Sequence, residues 1–220
     1  MKIAEKLFAI KKNIPEGVTL VAVSKTKPSE DILEAYEAGQ RIFGENRPQE
    51  LKQKAEDLPK DIEWHFIGHP QSKQVKYFAS FVSLIHGVDS LKLLGVIDKE
   101  GQKNQRIINC LLEFHIAEES SKFGLSLNEA EEILKNPEIK LFEHIRICGV
   151  MGMATYTDDG AQIKREFKAL RSIFETLKNN YFADKPYFNT VSMGMSGDYQ
   201  LAIEEGSTLV RIGSSIFGVR

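Results

Sequence analysis

The sequence has few cysteines, no long apolar run and no excess of charge of either sign. Its two cysteines, Cys110 and Cys148, lie inside apolar runs and far from any CxxC spacing, which favours buried free thiols in a reducing compartment over a structural zinc. No window approaches the roughly 18 apolar residues of a membrane span. Residues 1–13 mix acidic and basic side chains and lack the apolar core and cleavage site of a secretion signal. We therefore expect a cytoplasmic protein that does not enter the membrane.

Net charge and composition further limit the class of protein. The formal net charge is −2 at pH 7, which gives no argument for binding nucleic acid or an anionic membrane surface. The acidic pairs Glu118–Glu119 and Asp158–Asp159 lack the spacing of a metal-binding loop, so we expect no metal site. Apolar residues make up 42% of the chain and charged residues 27%, as in globular proteins that bury a sizeable core. Since no linker or low-complexity segment divides the chain, we expect residues 1–220 to form a single domain.

Strand-like and helix-like segments alternate along the whole chain. Several of the strand-like runs are apolar without polar alternation, which is typical of parallel strands in βαβ units. The predicted strands lie near residues 18–25, 41–44, 62–68, 81–88, 106–116, 144–151, 187–191 and 208–212. The predicted helices between them lie near residues 30–38, 47–57, 71–79, 90–103, 127–134, 159–179 and 197–205. Eight such units favour an α/β fold of the closed (β/α)8 TIM-barrel type, and an open sheet is disfavoured because no GxGxxG follows the first strand.

Lys25 stands at the tip of the first strand, where the carboxyl ends of barrel strands form the functional face. It follows an apolar, β-branched run and precedes Pro28 and a helix start. Partial desolvation at such a position lowers the pKa of an amine, and a neutral amine attacks a carbonyl to give a Schiff base. The competing interpretation is a solvated loop lysine, because surface lysines are common.

Two small-residue turns follow the last two strands. One runs from Ser192 to Ser196 and Gly197, and the other contains Arg211, Gly213 and Ser214. Backbone N–H groups at such turns bind phosphate, and the loops after strands 7 and 8 are where barrel proteins most often hold one. Each turn alone is equally compatible with a tight turn that needs glycine and a serine N-cap. Together, at these two strands, they favour a phosphate site.

A Schiff-base lysine facing a phosphate site indicates a ligand with an aldehyde and a phosphate. Pyridoxal 5′-phosphate (PLP) fits, with Arg211 as the available partner of its ring nitrogen. A lysine Schiff-base aldolase acting on a phosphosugar uses the same groups and stays open.

Four further positions at the strand ends carry two interpretations each. Asn46 is a pocket donor or the N-cap of the next helix, and His69 is a proton donor or a structural residue. Met153 lines a flat ring or belongs to the core. Lys122, in the Ser121–Gly124 loop, adds a cation at the mouth or is simply solvated.

Four blocks of the chain resemble the YggS/PROSC family of PLP homeostasis proteins, whose barrel resembles the N-terminal domain of alanine racemase. The match runs in order from about Val18 to the C-terminus through VAVSKTKP, FGEN, WHFIGH and SMGMS followed by RIG. The resemblance implies an alanine-racemase-like barrel with Lys25 as the Schiff-base lysine and Arg211 on the ring nitrogen. It also implies a phosphate site formed by Ser192, Ser196, Gly213 and Ser214. The pocket lining that it implies consists of Asn46, His69 and Met153. Pro70 departs from the family pattern and is expected to stiffen the loop after His69.

The resemblance implies a protein that binds, buffers and delivers PLP in vitamin B6 homeostasis, without established catalysis. Its expected partners are PLP and apo-enzymes that receive it, and we expect a monomer. The alternative is a PLP-dependent amino-acid racemase, which needs a second acid/base group opposite Lys25. Tyr156 and Tyr199 are the candidates near the mouth for that group. The phosphosugar aldolase is the second alternative.

Overall fold

The computed structural model describes residues 2–118 and 123–218. Its eight parallel strands close into a barrel in the order β1 to β8, and β8 pairs back onto β1. The predicted closed (β/α)8 barrel is therefore confirmed. The strands are β1 (Thr19–Val23), β2 (Ile42–Glu45), β3 (Glu63–Phe66), β4 (Leu84–Val88), β5 (Ile108–Phe114), β6 (Ile145–Gly152), β7 (Thr190–Ser192) and β8 (Leu209–Ile212).

Helices surround the barrel and connect its strands. They are α1 (Ile3–Lys12), α2 (Ser29–Glu37), α3 (Pro48–Asp57), α4 (Leu91–Lys103), α5 (Leu127–Lys135), α6 (Gly160–Tyr181), α7 (Tyr199–Glu204) and α8 (Ser214–Phe217). Two short 3-10 helices, Ser72–Tyr77 and Pro137–Leu141, complete the connections. Within the part of the chain that the structure describes, no helix combines the length and apolarity that a membrane crossing requires.

Helix α1 precedes the first predicted element. Its buried residues are Ile3, Leu7 and Ile10, and this spacing places them on one face. Glu5 accepts a hydrogen bond from the Lys2 backbone N–H at 3.1 Å, and Lys11 and Lys12 lie in the last turn. Both arrangements complement the helix dipole.

The core has two layers. The larger layer packs the outward faces of the strands against the helices and includes Phe43, Phe66, Phe114 and Phe167. A small inner cluster fills the barrel itself with Val21, Leu84, Leu111, Met151 and Leu209. Cys148 and Met153 pack against the inner cluster, and both cysteines are free thiols. The inner cluster fills the lower part of the barrel with apolar side chains, so the polar side chains of the interior lie above it.

A bulge at Gly149 sets which residues of β6 face the barrel interior. The β5–β6 register shifts between Cys110 and Leu111, and Gly149 has φ +155°. A Cβ atom at Gly149 would lie 1.8 Å from the Thr190 carbonyl oxygen, so only glycine fits. The extra residue explains why Cys148 and Met151 both reach the inner cluster although they are three residues apart.

Candidate functional site

A buried polar layer lies above the inner cluster. Its members come from β3, β4, β5, β7 and β8 and are nearly inaccessible to solvent: His65, His86, Glu113, Ser192 and Arg211. The His86 Nδ1 atom lies 3.0 Å from Ser192 Oγ. Since β4 and β7 are not neighbours in the barrel, this hydrogen bond crosses the interior.

Arg211 is fixed across the barrel by three hydrogen bonds. Its Nη1 atom donates to the Ser192 carbonyl oxygen at 2.9 Å and to Ser192 Oγ, and Nη2 donates to the Gly152 carbonyl oxygen at 3.2 Å. Burial lowers the pKa of Arg211 to about 10, while Glu113 and Asp198 act in the opposite direction. The guanidinium therefore stays charged at neutral pH. Ser192 Oγ is occupied by Arg211 and His86, and the residue has no exposed surface, so its predicted phosphate role stays a prediction.

His65 and His86 are functional candidates that the sequence analysis did not single out. His65 Nδ1 lies 3.1 Å from His86 Nε2, which continues the chain of hydrogen bonds from Arg211 and Ser192. Burial lowers the pKa of His65 to about 3 and holds that of His86 well below its ordinary value. Both rings are therefore neutral at physiological pH. The alternation of side chains along a strand was a usable signal for His86. Residues two apart face the same side of a strand, so His86 points into the barrel like Leu84 of the inner cluster.

These two histidines predict a loss of stability at mildly acidic pH. A buried histidine whose folded pKa lies below its unfolded value stabilises the fold fully above about pH 6.5 and loses that contribution as the pH falls toward its folded pKa. For each histidine we expect about 1.4 kcal/mol less unfolding free energy at pH 5.5 than at pH 7.5. Urea unfolding at both pH values measures the drop. His86→Gln should show a smaller drop than the native protein, whereas His144→Gln, outside this layer, should match it; equal drops in all three would contradict the prediction.

Lys25 lies in a tight turn directly after β1 and is half-buried. The Lys27 backbone N–H donates to the Ser24 carbonyl oxygen at 3.0 Å, and Lys27 Nζ donates to the Phe217 carbonyl oxygen at 3.2 Å. Thr26 has φ +65°, a left-handed conformation that is unusual for a β-branched residue. The turn is therefore tightly specified on both sides of Lys25.

A buried ion cluster lies behind this turn. Lys54 Nζ donates to Glu45 Oε1 at 2.8 Å, to Glu50 Oε1 at 2.7 Å and to the Ser24 carbonyl oxygen at 2.9 Å. Ser24 Oγ donates to Glu45 Oε1 at 2.6 Å, and the Thr26 backbone N–H donates to Glu50 Oε1 at 2.6 Å. Burial raises the pKa of Glu45 although Lys54 opposes it, whereas for Glu50 burial is outweighed by Lys54 and Thr26, which lower its pKa.

Asn46 follows β2 at the same end of the barrel as Lys25. Helix α3 begins at Pro48 with Arg47 as its N-cap, so Asn46 is not the N-cap of that helix. Asn46 Oδ1 is buried and has no hydrogen-bond partner among the described residues. A Cβ at Gly68 would lie 2.9 Å from the Asn46 carbonyl oxygen, so the two strand ends approach closely. A buried amide oxygen without a partner suits a ligand contact.

The two predicted phosphate turns are hydrogen-bonded to each other. Ser196 Oγ accepts from the backbone N–H groups of Gly213 at 3.2 Å and Ser215 at 3.4 Å. Gly194 has φ +95°, and a Cβ there would lie 2.6 Å from Ala202 Cβ. Ser214 is the first residue of α8 and is exposed. The N–H groups of the second turn therefore point toward the serine hydroxyl of the first.

His69 lies on the β3 side of the mouth between two carboxylates. Its Nδ1 atom is 3.5 Å from Asp89 Oδ2 and 3.8 Å from Glu113 Oε2. Its ring stacks on Phe123, with centroids 4.4 Å apart. Burial raises the pKa of Glu113, and His69 opposes that effect. Pro70 is buried, and the stiffness expected of the loop after His69 stays a prediction.

The remaining candidates are distributed around the mouth. Met153 is half-buried above the inner cluster. Tyr156 is 98% exposed, and Tyr199 is half-buried and packs against the core. The loop residues Ser121 and Lys122, like Glu119, lie outside the described residues. The structure thus joins Arg211 to Ser192 and Ser196 to Gly213, while Lys25, Asn46 and His69 follow three neighbouring strands.

Comparison with known proteins identifies relatives over the whole chain. The family described as alanine racemase, N-terminal domain, matches residues 2–220. The PLP homeostasis protein of Pasteurella multocida is 37% identical, and the alignment covers 100% of this chain and 98% of that protein. The PLP homeostasis protein of Escherichia coli K12 is 36% identical over 94% of this chain and 87% of its own length.

Solved structures give the same result. PipY of Synechococcus elongatus with PLP bound superposes with a TM-score of 0.89 at 33% identity, covering 98% of this chain and 100% of that one. Alanine racemase of Bartonella henselae superposes with a TM-score of 0.74 at 20% identity, covering 99% of this chain and 58% of the racemase. The second likeness is one of fold alone, and it covers 58% of the racemase chain.

Proposed function

The chain belongs to the family of PLP homeostasis proteins, whose barrel is that of the alanine racemase N-terminal domain, and we propose that it binds PLP, buffers it and delivers it to other proteins. The observation that carries this proposal is Arg211, a charged guanidinium fixed beneath the mouth at the end of β8. PLP-binding sites combine a lysine, a phosphate site and a group facing the ring nitrogen. Each of the three has a candidate here.

The donor set fits PLP. Asn46 offers a buried amide oxygen without a protein partner among the described residues. The linked turns at Ser196 and Gly213 place hydroxyl and backbone N–H groups together, the kind of groups that bind phosphate. When bound, PLP supplies an aldehyde that condenses reversibly with a primary amine. Lys25 would provide that amine, Ser196, Gly213 and Ser214 would hold the phosphate, and Asn46, His69 and Met153 would line the ring.

Arg211 favours storage of the cofactor over demanding chemistry. An arginine stays protonated and donates a hydrogen bond to a pyridine nitrogen without transferring its proton. A neutral ring withdraws electrons weakly, so proton abstraction from a bound amino acid gains little. The charged Arg211, held by Ser192 and the Gly152 carbonyl oxygen, therefore suits reversible binding.

The racemase alternative requires a proton donor opposite Lys25. Of the two tyrosines named for that role, Tyr156 is almost fully exposed, and Tyr199 packs against the core. Neither observation favours racemization. We also propose that the chain is a single-domain monomer of the cytoplasm and that its partners are apo-enzymes that use PLP.

The absorption spectrum of the purified protein tests this function. Addition of PLP should give a band near the visible edge that borohydride removes, with the reduced label on Lys25 in a peptide map. Mixing the loaded protein with an apo-enzyme that uses PLP should restore that enzyme's activity, and a dialysis membrane between the two distinguishes release from contact. Absence of the band with excess PLP would overturn the proposal and favour the phosphosugar aldolase. Steady turnover of an L- or D-amino acid would favour the racemase.

A further inference from the structure

The ion cluster formed by Ser24, Glu45, Glu50 and Lys54 holds both peptide neighbours of Lys25. Lys54 Nζ donates to the carbonyl oxygen of Ser24, the residue before Lys25, at 2.9 Å. Glu50 Oε1 accepts from the backbone N–H of Thr26, the residue after it, at 2.6 Å. The two side chains are themselves paired at 2.7 Å, one helical turn apart on α3.

We propose that Glu50 and Lys54 of helix α3 are positioning residues that fix the direction of the Lys25 side chain. The proposal rests on the function proposed above. It goes beyond that function because neither Glu50 nor Lys54 is among the residues proposed to hold PLP. Helix α3 would then be part of the structure that orients the Lys25 amine.

The conformation of Thr26 shows why the turn needs such support. A β-branched residue at φ +65° costs free energy that the surrounding structure must offset. The Thr26 N–H is bound to a carboxylate, and charge-assisted hydrogen bonds are stronger than neutral ones. Without Glu50, we expect Thr26 to relax toward negative φ, which would turn the peptide that follows Lys25.

Burial stiffens the part of the cluster around Glu45 and Lys54. The Glu45 side chain is fully buried and that of Lys54 is 8% exposed, so water competes little for these bonds. Glu45 Oε1 accepts from both Ser24 Oγ and Lys54 Nζ, which links β1, β2 and α3 at one point. The carbonyl oxygen of Ser24 is therefore held by a lysine that is itself held by two carboxylates.

Helix α3 also provides a matched control. Lys52 and Glu56 form an i,i+4 pair of the same type at 3.7 Å, but both side chains are more than half exposed. Glu56→Ala therefore removes a comparable charge from the same helix without touching the Lys25 turn. Glu50→Gln keeps an oxygen that accepts from the Thr26 N–H, whereas Glu50→Ala does not.

Titration with PLP, followed by the borohydride-sensitive band, tests the inference. We expect Glu50→Ala to raise the half-saturating PLP concentration about tenfold or more, since a lost hydrogen bond to a charged group typically changes an equilibrium constant by about that factor. Glu50→Gln should lie within about threefold of the native protein, and Glu56→Ala should match it. A core variant on α4, Ile97→Val, controls for general loss of stability. If Glu50→Ala binds as the native protein does, or only as weakly as an equally destabilised Ile97→Val, the inference is overturned.

Trace acetylation separates this inference from the proposed function, because it needs no PLP. Mass spectrometry measures the rate at which acetic anhydride modifies Lys25, across pH 6 to 10 in about one-unit steps. We expect this rate to differ between the native protein and Glu50→Ala. Glu50→Gln should restore the native rate. If the native protein gives no PLP band, the proposed function fails, and this profile alone decides the positioning role. Identical profiles in all three proteins would refute it.

Discussion

Lys25→Ala is expected to abolish the borohydride-sensitive absorption band completely while leaving the fold intact. Lys25 follows the end of β1 in a turn whose backbone is held by Lys54 and Glu50, so the alanine variant keeps the hydrogen bonds that specify the turn. Removing the amine removes the only bond-forming group assigned to this position. Spectra recorded with excess PLP before and after borohydride measure the effect.

Lys27→Ala is the matched control for that experiment. Lys27 lies two residues away and donates to the Phe217 carbonyl oxygen, so it tests whether any lysine of this turn suffices. We expect the band to persist in Lys27→Ala. A band of native intensity in Lys25→Ala, or a reduced label found on Lys27 in the native protein, would contradict the assignment of Lys25.

Of the substitutions proposed for this protein, Lys54→Met should cause the largest loss of stability. We expect its free energy of unfolding at neutral pH to fall by about 3–5 kcal/mol. The substitution leaves Glu45 fully buried, with Ser24 Oγ as its remaining partner. Methionine has a similar length, so the main cost is an uncompensated buried carboxylate. Urea unfolding of the native protein, Lys54→Met and the exposed control Lys52→Met measures the difference.

The pH dependence of that loss gives an independent check. Burial already raises the pKa of Glu45 against the influence of Lys54, and loss of Lys54 should raise it further. A carboxyl whose folded pKa lies above its unfolded value gains stability as the pH falls through that folded pKa toward the unfolded one. The deficit of Lys54→Met should therefore be smaller at pH 5.5 than at pH 7.5, and Glu45→Gln combined with Lys54→Met should recover part of it. A deficit that is constant with pH would show that lost packing dominates.

The barrel could be predicted from the sequence because its strands carry a strong local signal. Apolar runs such as that of β1 are buried on both faces in a barrel, and each is followed by a helix pattern of ordinary length. Element limits were less certain: the helix expected over residues 71–79 is a 3-10 helix over Ser72–Tyr77. Helix α1 was not predicted, because a ten-residue amphipathic segment has little stability until it packs on the barrel.

The polar layer was harder to predict because its contacts join distant strands. Arg211 was predicted from its place at the end of β8, but its bonds to Ser192 and the Gly152 carbonyl oxygen depend on how the strands are staggered. The pairing of His86 with Ser192 requires the barrel to close. The role of Lys54 depends on burial of one helix face, which the Lys- and Glu-rich sequence of α3 does not reveal.

The pairing of β1 with β8 has a consequence for biosynthesis. Lys25 is translated just after β1, whereas Arg211 and Gly213 are translated only after the first seven strands of the barrel. The growing barrel therefore carries the Lys25 amine through seven strands without the groups proposed to hold the phosphate. Until β8 is added, β1 exposes an unpaired edge. Pairing of β1 with β8 joins residues far apart in sequence, which makes it a slow, non-local event. We therefore expect the proposed binding of PLP at Lys25 to follow closure of the barrel by β8, so the ligand should bind only after that strand has been translated.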